Sequence, residues 1–555
     1  MKRAWLWGLA VAIGCGGGAP DRGGVAESAS TGGAMPMAMA PEEAPLDRDS
    51  YARVDASTFR SVETHPRSTF SADVDTASYS NVRRFLLQEE RLPPADAVRI
   101  EEMVNYFRYA YPEPEGDSPF GFHTEVRRAP WNEDHLLVQL GLATRPLDMG
   151  QAPPRNLVFL LDVSGSMNAP DKLGLLKRGL ALLTQELRPN DSVSIVVYAG
   201  ASGLLLPPTS GEDRGAILDV LDQLRAGGST NGGEGIELAY RVAEESFVEG
   251  GINRVILATD GDFNVGVSSE GALTRLIEEK RESGVFLTVL GFGRGNLQDD
   301  RMEALADRGN GNYAYIDSLA EARRVLVREA GSTLVTVASD VKIQVEFNPA
   351  QVSRYRLLGY ENRVLRDEDF LDDTRDAGEI GAGHQVTAFY EVVPVGAPDA
   401  DAQEGEVHPL RYGGEGQEAG AGAQQAAPTE REGGAAGEGA TAEDATAEDA
   451  AAEDAAADEL LYLRVRYKEP GESESRELSQ PLAAPADEAL DAEPSRAFRF
   501  GSAVVAFGLV LRDDPLTQPD LAASRQAAEA ALGQDPHGDR RQLVEMMRAA
   551  ETLHQ

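Results

Sequence analysis

Asn156-Leu157-Val158-Phe159-Leu160-Leu161-Asp162-Val163-Ser164-Gly165-Ser166 is the stretch that decides the fold. Its apolar run, Leu157 to Leu161, does not alternate with polar residues, so both faces of the strand must be buried, as in a parallel sheet covered by helices. The run ends on a carboxylate and two hydroxyls. Open α/β sheets keep their ligands at that carboxyl end. A second run, Val255 to Ala258, ends in the same way on Thr259-Asp260-Gly261, and Gly227-Gly228-Ser229-Thr230-Asn231 lies between the two. Asp162, Ser164, Ser166, Thr230 and Asp260 together form a hard, oxygen-only donor set with no His or Cys nearby in sequence. Such a set suits Mg²⁺ or Mn²⁺ and disfavours zinc or copper.

Outward from these strands, continuous runs at Val193 to Val197 and Val285 to Leu290 alternate with helical stretches near Lys172 to Leu187, Glu212 to Leu224, Gly233 to Phe247 and Glu270 to Glu282. The fold class is therefore α/β, with a doubly wound, mostly parallel sheet over residues 151–331. Period-two alternation marks Phe120, Phe122, Thr124 and Val126, then Leu136 to Leu142. It returns in Val341 to Phe347, Val386 to Val392 and Leu461 to Tyr467. These segments predict a β-sandwich built from residues 113–150, 332–395 and 459–482, with the central domain inserted into it. Residues 51–112 predict a helical region with two amphipathic helices split at Pro93-Pro94, and Ser71 to Ser78 predicts a helix-capping turn. Residues 486–555 predict a second helical region. There Phe500 to Leu511 is apolar but too short to span a bilayer, which predicts a buried helix.

The chain has 555 residues, with 92 acids against 52 bases, for a formal net charge of -40. That balance opposes nucleic-acid binding and polybasic attachment to anionic lipid. Part of the excess sits in residues 396–458, which carry five-residue repeats such as Ala442-Glu443-Asp444-Ala445-Thr446 and predict a disordered acidic insertion. The lone cysteine, Cys15, follows a positive start at Lys2 and Arg3 and an apolar stretch from Ala4 to Ile13. Val11-Ala12-Ile13-Gly14-Cys15 resembles a bacterial lipobox. Residues 1–15 thus predict a lipoprotein signal peptide with Cys15 as the lipidation site, and residues 16–50 a disordered tether. The implied location is the bacterial cell envelope, lipid-anchored and extracytoplasmic, at the outer membrane or cell surface rather than free in the periplasm.

Asp162-x-Ser164-x-Ser166, Thr230 and Asp260 resemble the metal-ion-dependent adhesion site of von Willebrand factor A domains. Beyond it, Phe70-Ser71-Ala72-Asp73-Val74-Asp75-Thr76, Ala258-Thr259-Asp260-Gly261-Asp262-Phe263-Asn264-Val265-Gly266 and Asp376-Ala377-Gly378-Glu379-Ile380-Gly381-Ala382-Gly383-His384 look like the bacterial YfbK-type A-domain lipoproteins. That resemblance implies that Ser164, Ser166 and Thr230 are hydroxyl ligands and that Asp162 and Asp260 contact the ion directly or through water. It also implies an open coordination position that takes an Asp or Glu carboxylate of a protein partner. The expectation is a binding or scaffold protein rather than an enzyme. No Walker lysine, dehalogenase motif or Ser-His-Asp spacing accompanies the site. Two alternatives stay open at this point, a Mg²⁺- or Mn²⁺-dependent envelope hydrolase and a metal with a purely structural role. Oligomeric state is not legible. The acidic cluster from Asp367 to Glu379 lacks the glycine and spacing of a calcium-binding loop and predicts a solvated loop.

Overall fold

The computed structural model describes residues 49–72, 75–148, 150, 152–199, 202–228, 232–261, 270–329, 334–375, 377–398 and 458–554. Cys15, the expected signal peptide, nearly all of the expected tether and nearly all of the acidic insertion lie outside them.

The apolar runs form the central sheet, in the spatial order Tyr313–Ile316, Phe286–Phe292, Ile252–Thr259, Arg155–Asp162, Ser192–Tyr198, Ser202–Ser210. Only the edge strand Ser202–Ser210 is antiparallel; the other neighbours pair in parallel. Val158 and Leu160 point into one core while Leu157, Phe159 and Leu161 point into another. Burial on both faces is why this strand shows no alternation. Arg155–Asp162 has Ser192–Tyr198 on one side and Ile252–Thr259 on the other, so the winding direction reverses around it. Such a reversal opens a crevice beyond the strands' carboxyl ends.

Two antiparallel sheets lie beside this domain in sequence and share a core of residues such as Val138, Leu140, Val345, Phe347, Tyr390 and Val465. One contains Phe120–Ala129, Asn132–Thr144, Val352–Leu358 and Gln385–Pro394. The other contains Thr336–Phe347, Glu459–Lys468 and Ser475–Ala483. Each sheet also takes a strand from the region expected to be helical, Arg60–Ser61 and Arg67–Ser71 respectively. Arg67-Ser68-Thr69-Phe70-Ser71 has one apolar side chain and therefore no legible period, yet it pairs with both Thr336–Phe347 and Val364–Leu365. Neighbouring strands supply the backbone partners that let so polar a segment be buried.

Helices Ala77–Arg83, Ile100–Asn105, Arg496–Leu511, Leu521–Ala530 and Asp539–Leu553 contribute to one further core. Within it, Phe500, Val504 and Phe507 meet Leu543, Met546 and Met547, along with Leu137 and Phe389 from the sandwich. Among the described residues no helix is long and apolar enough to cross a membrane.

Within the stretch Ser71 to Ser78, of which Asp73 and Val74 lie outside the described residues, Asp75 and Thr76 have a different role from the capping expected there. Thr76 precedes helix Ala77–Arg83, but its side chain makes no cap hydrogen bond. Its hydroxyl accepts from Arg324 Nη2 at 2.6 Å, and Asp75 Oδ1 accepts from the Tyr313 backbone N–H at 2.8 Å. The turn thus joins the N-terminal helices to the edge of the central sheet. Buried charge reinforces this joint. Glu321 accepts from Arg83 Nη2 at 2.8 Å, from Arg324 Nε at 2.8 Å and from the Tyr106 hydroxyl at 2.7 Å. Arg83 also pairs with Asp317. Arg99 of the N-terminal region meets Asp299 at 3.2 Å and Glu303 at 2.6 Å.

Burial pushes the Glu321 carboxyl up, but Arg324 and Arg83 outweigh it and hold it at about 2, below its ordinary 4.5. The stability it contributes is therefore complete above that ordinary value and is lost as pH falls toward 2. Glu321→Gln leaves two buried guanidiniums short of a carboxylate and is expected to cost about 3 kcal/mol in urea unfolding at neutral pH. The gap between wild type and variant is expected to narrow when the same measurement is made near pH 3.

Candidate metal centre

Asp162 ends its strand opposite Tyr198, and both are fully buried. The Ser164 backbone N–H donates to Asp162 Oδ1 at 2.8 Å, and the Tyr198 hydroxyl donates to Oδ2 at 3.2 Å. Thr259 adds a long hydroxyl contact to Oδ2 at 3.4 Å. These donors fix the carboxylate's orientation. Desolvation is the largest influence on the Asp162 carboxyl and pushes it up; hydrogen bonds from Ser164 pull it down, and the charge on Asp260 pushes it up again. A cation held by these carboxylates would oppose both upward influences by favouring the charged form.

Ser164 is buried and Ser166 exposed, with their Oγ atoms 2.9 Å apart. A line of oxygens therefore runs from the buried strand end to the surface. The Gly165 N–H donates to the Gly228 carbonyl at 3.1 Å, and the Gly227 N–H donates to the Val163 carbonyl at 2.8 Å. Gly228 has φ +91, which L side chains rarely adopt. Two of the three expected loops are thus laced together by backbone, while Thr230 lies outside the described residues.

Asp260 follows strand Ile252–Thr259 and is 1% exposed. Its Oδ2 accepts from Lys172 Nζ at 2.8 Å. Its Oδ1 is buried and has no hydrogen-bond partner among the described residues. A buried carboxylate oxygen left without a donor is costly. It is the feature that a bound cation would satisfy, and the surrounding oxygens suit a hard divalent ion. Among the described residues no group of three or more His, Cys, Asp or Glu is placed to hold a metal. Among the described residues, the other oxygen donors near Asp162 and Asp260 are therefore hydroxyls such as those of Ser164 and Ser166.

Sequence patterning left Lys172, Tyr198 and the hydroxyl of Thr259 without roles. Tyr198 and Thr259 carry a signal, because each is the first polar residue after a buried run. Lys172 carries a weaker one. It sits just before helix Leu173–Gln185, where the helix dipole disfavours a cation, so its ammonium needs a carboxylate from elsewhere. The described residues of the acidic cluster hold ion pairs. Asp369 pairs with Arg366 at 2.7 Å and Asp373 with Arg466 at 3.0 Å.

Residues 157–262 match the von Willebrand factor type A domain, and residues 45–139 match a second family described as von Willebrand factor. With the sheet order and the oxygen-lined crevice, this makes the molecule a von Willebrand factor A domain protein. Residues 332–432 and 418–553 match the family described as "Uncharacterized protein YfbK, C-terminal". Over 509 residues the chain is 40% identical to the uncharacterized protein YfbK of Escherichia coli (strain K12), covering 90% of this chain and 81% of that protein. The chain belongs to the YfbK family. It is also similar to inter-alpha-trypsin inhibitor heavy chain H4 of Homo sapiens, at 28% identity over 148 residues, or 25% of this chain and 16% of that protein. Among solved structures, a von Willebrand factor type A protein from Catenulispora acidiphila aligns at 14% identity and a TM-score of 0.39, over 79% of this chain and 92% of that one.

Gly261 tests the geometry of the third loop. It has φ +106, and a Cβ there would lie 2.3 Å from the Asn296 carbonyl oxygen. Gly261→Ala is expected to lower stability by about 2 kcal/mol in thermal or urea unfolding. Gly203→Ala, where nothing lies within 4 Å, is the matched control and should change little.

Proposed function

We propose that this protein is a membrane-anchored, extracytoplasmic binding or scaffold protein whose A domain grips a protein partner through Mg²⁺ or Mn²⁺. Asp162, Ser164, Ser166, Thr230 and Asp260 would hold the ion, which supplies Lewis acidity toward an incoming oxygen ligand. The partner's contribution would be an Asp or Glu side chain. The observation that carries the reading is the buried Asp260 Oδ1, which has no hydrogen-bond partner among the described residues, within an oxygen-only set. The exposed Ser166 supports access from solvent. Anchoring rests on Lys2, Arg3, the apolar stretch Ala4 to Ile13, and Cys15 as the lipidated residue.

A non-enzymatic role fits the placement of the described histidines that have interior contacts. His135 meets Glu391 at 2.7 Å, His123 stacks on Tyr111 at 4.7 Å, and half-buried His384 feels the charge of Arg108. None of these interactions brings a general base to the crevice.

Affinity capture from envelope extracts, with and without EDTA and with Asp162→Ala beside wild type, tests the proposal. Mg²⁺-dependent capture that both EDTA and the substitution abolish is expected. A partner set indifferent to both would refute the metal bridge. A lowered melting temperature in EDTA with unchanged capture would assign the ion a structural role instead. Mn²⁺-dependent turnover of phosphoester or peptide substrates, lost in Asp260→Ala, would establish the hydrolase alternative.

A further inference from the structure

We propose that Lys172 is a built-in counter-cation that weakens the A domain's hold on its divalent ion, and so makes retention of that ion depend on a carboxylate from outside. This deepens the metal reading above and rests on it. The Lys172 ammonium lies 2.8 Å from Asp260 Oδ2, with side chains 10% and 0% exposed respectively. One carboxyl group would therefore face two claims, the ammonium on Oδ2 and the ion at buried Oδ1, which has no hydrogen-bond partner among the described residues.

The lysine's path to that carboxylate is built into the fold. Its stem passes Gly293, which has φ +74 and where a Cβ would lie 2.2 Å from Lys172 Cε. The Gly293 carbonyl is fixed by the Tyr315 hydroxyl at 2.7 Å. A residue with a side chain at position 293 would collide with the lysine. Helix energetics do not explain the placement, since the N-terminal end of Leu173–Gln185 repels a cation.

Charge decides what the lysine does. Asp162 and Asp260 bring two negative charges, and Lys172 cancels one of them. A divalent ion then leaves the buried site with net positive charge, in surroundings where water screens poorly. An incoming carboxylate restores neutrality, so ion and partner reinforce each other. By linkage each tightens the other's binding by the same factor. Without the lysine the ion alone would neutralise the two aspartates and would need no partner.

Mn²⁺ binding to the full chain, followed by electron paramagnetic resonance, tests this with acetate as the probe carboxylate. Lys172→Met is expected to bind Mn²⁺ about tenfold more tightly than wild type, on the order expected for removing one nearby charge. Acetate should tighten Mn²⁺ binding to wild type and have a smaller effect on the variant. Lys172→Gln keeps a hydrogen-bond donor without the charge and should behave like Lys172→Met, which covers the case in which the methionine variant does not fold. Lys172→Arg keeps the charge and should stay near wild type. Equal or weaker Mn²⁺ binding in the neutral variants overturns the role of Lys172 while leaving the metal reading intact. Absence of Mn²⁺ binding in wild type and in all three variants overturns both.

Discussion

The parallel pairing of Arg155–Asp162 with Ile252–Thr259 is the constraint on which the rest of this molecule depends. Its register sets Leu161 beside Ala258, so the two strands end level and bring Asp162 and Asp260 to one crevice across nearly a hundred residues of sequence. The same pairing buries both carboxylates, because the sheet is covered on each face. Burial makes the crevice electrostatically demanding. Tyr198, Ser164 and Thr259 attend to Asp162, and Lys172 attends to one oxygen of Asp260. The remaining Asp260 oxygen is buried and has no hydrogen-bond partner among the described residues.

The edge strand Tyr313–Ile316 is held by a different kind of interaction. Glu321, Arg83, Arg324 and Tyr106 form a buried polar knot between the A domain and the N-terminal helices, and Arg99 with Asp299 and Glu303 forms a second. Removing one member of such a knot leaves its partners charged and dry, so the joint resists piecemeal change. The A domain is thereby tied at Tyr313 and Glu321 to a frame that also includes the sandwich and the C-terminal helices. Its crevice, at the carboxyl ends of the strands, carries the exposed Ser166.

Legibility followed the periodicity of apolar residues. The strands from Leu157 and Val255, and the buried helix around Phe500 to Leu511, were plain because their burial is written in unbroken apolar runs. Arg67–Ser71 was not, since a strand of small polar residues is indistinguishable from a turn until its neighbours are known. For the same reason Asp75 and Thr76 looked like a helix cap. Their partners, Tyr313 and Arg324, lie more than two hundred residues away.

Alone, the sequence determined the A domain and its membership of a family, because each is carried by local order and spacing. Tertiary structure decided the electrical state of the crevice. Whether a lysine before a helix reaches solvent or a buried aspartate depends on the loop that passes it, and Gly293 is remote from Lys172 in sequence. Charge compensation acts through space over a few ångströms, and only the folded chain sets which charges come that close.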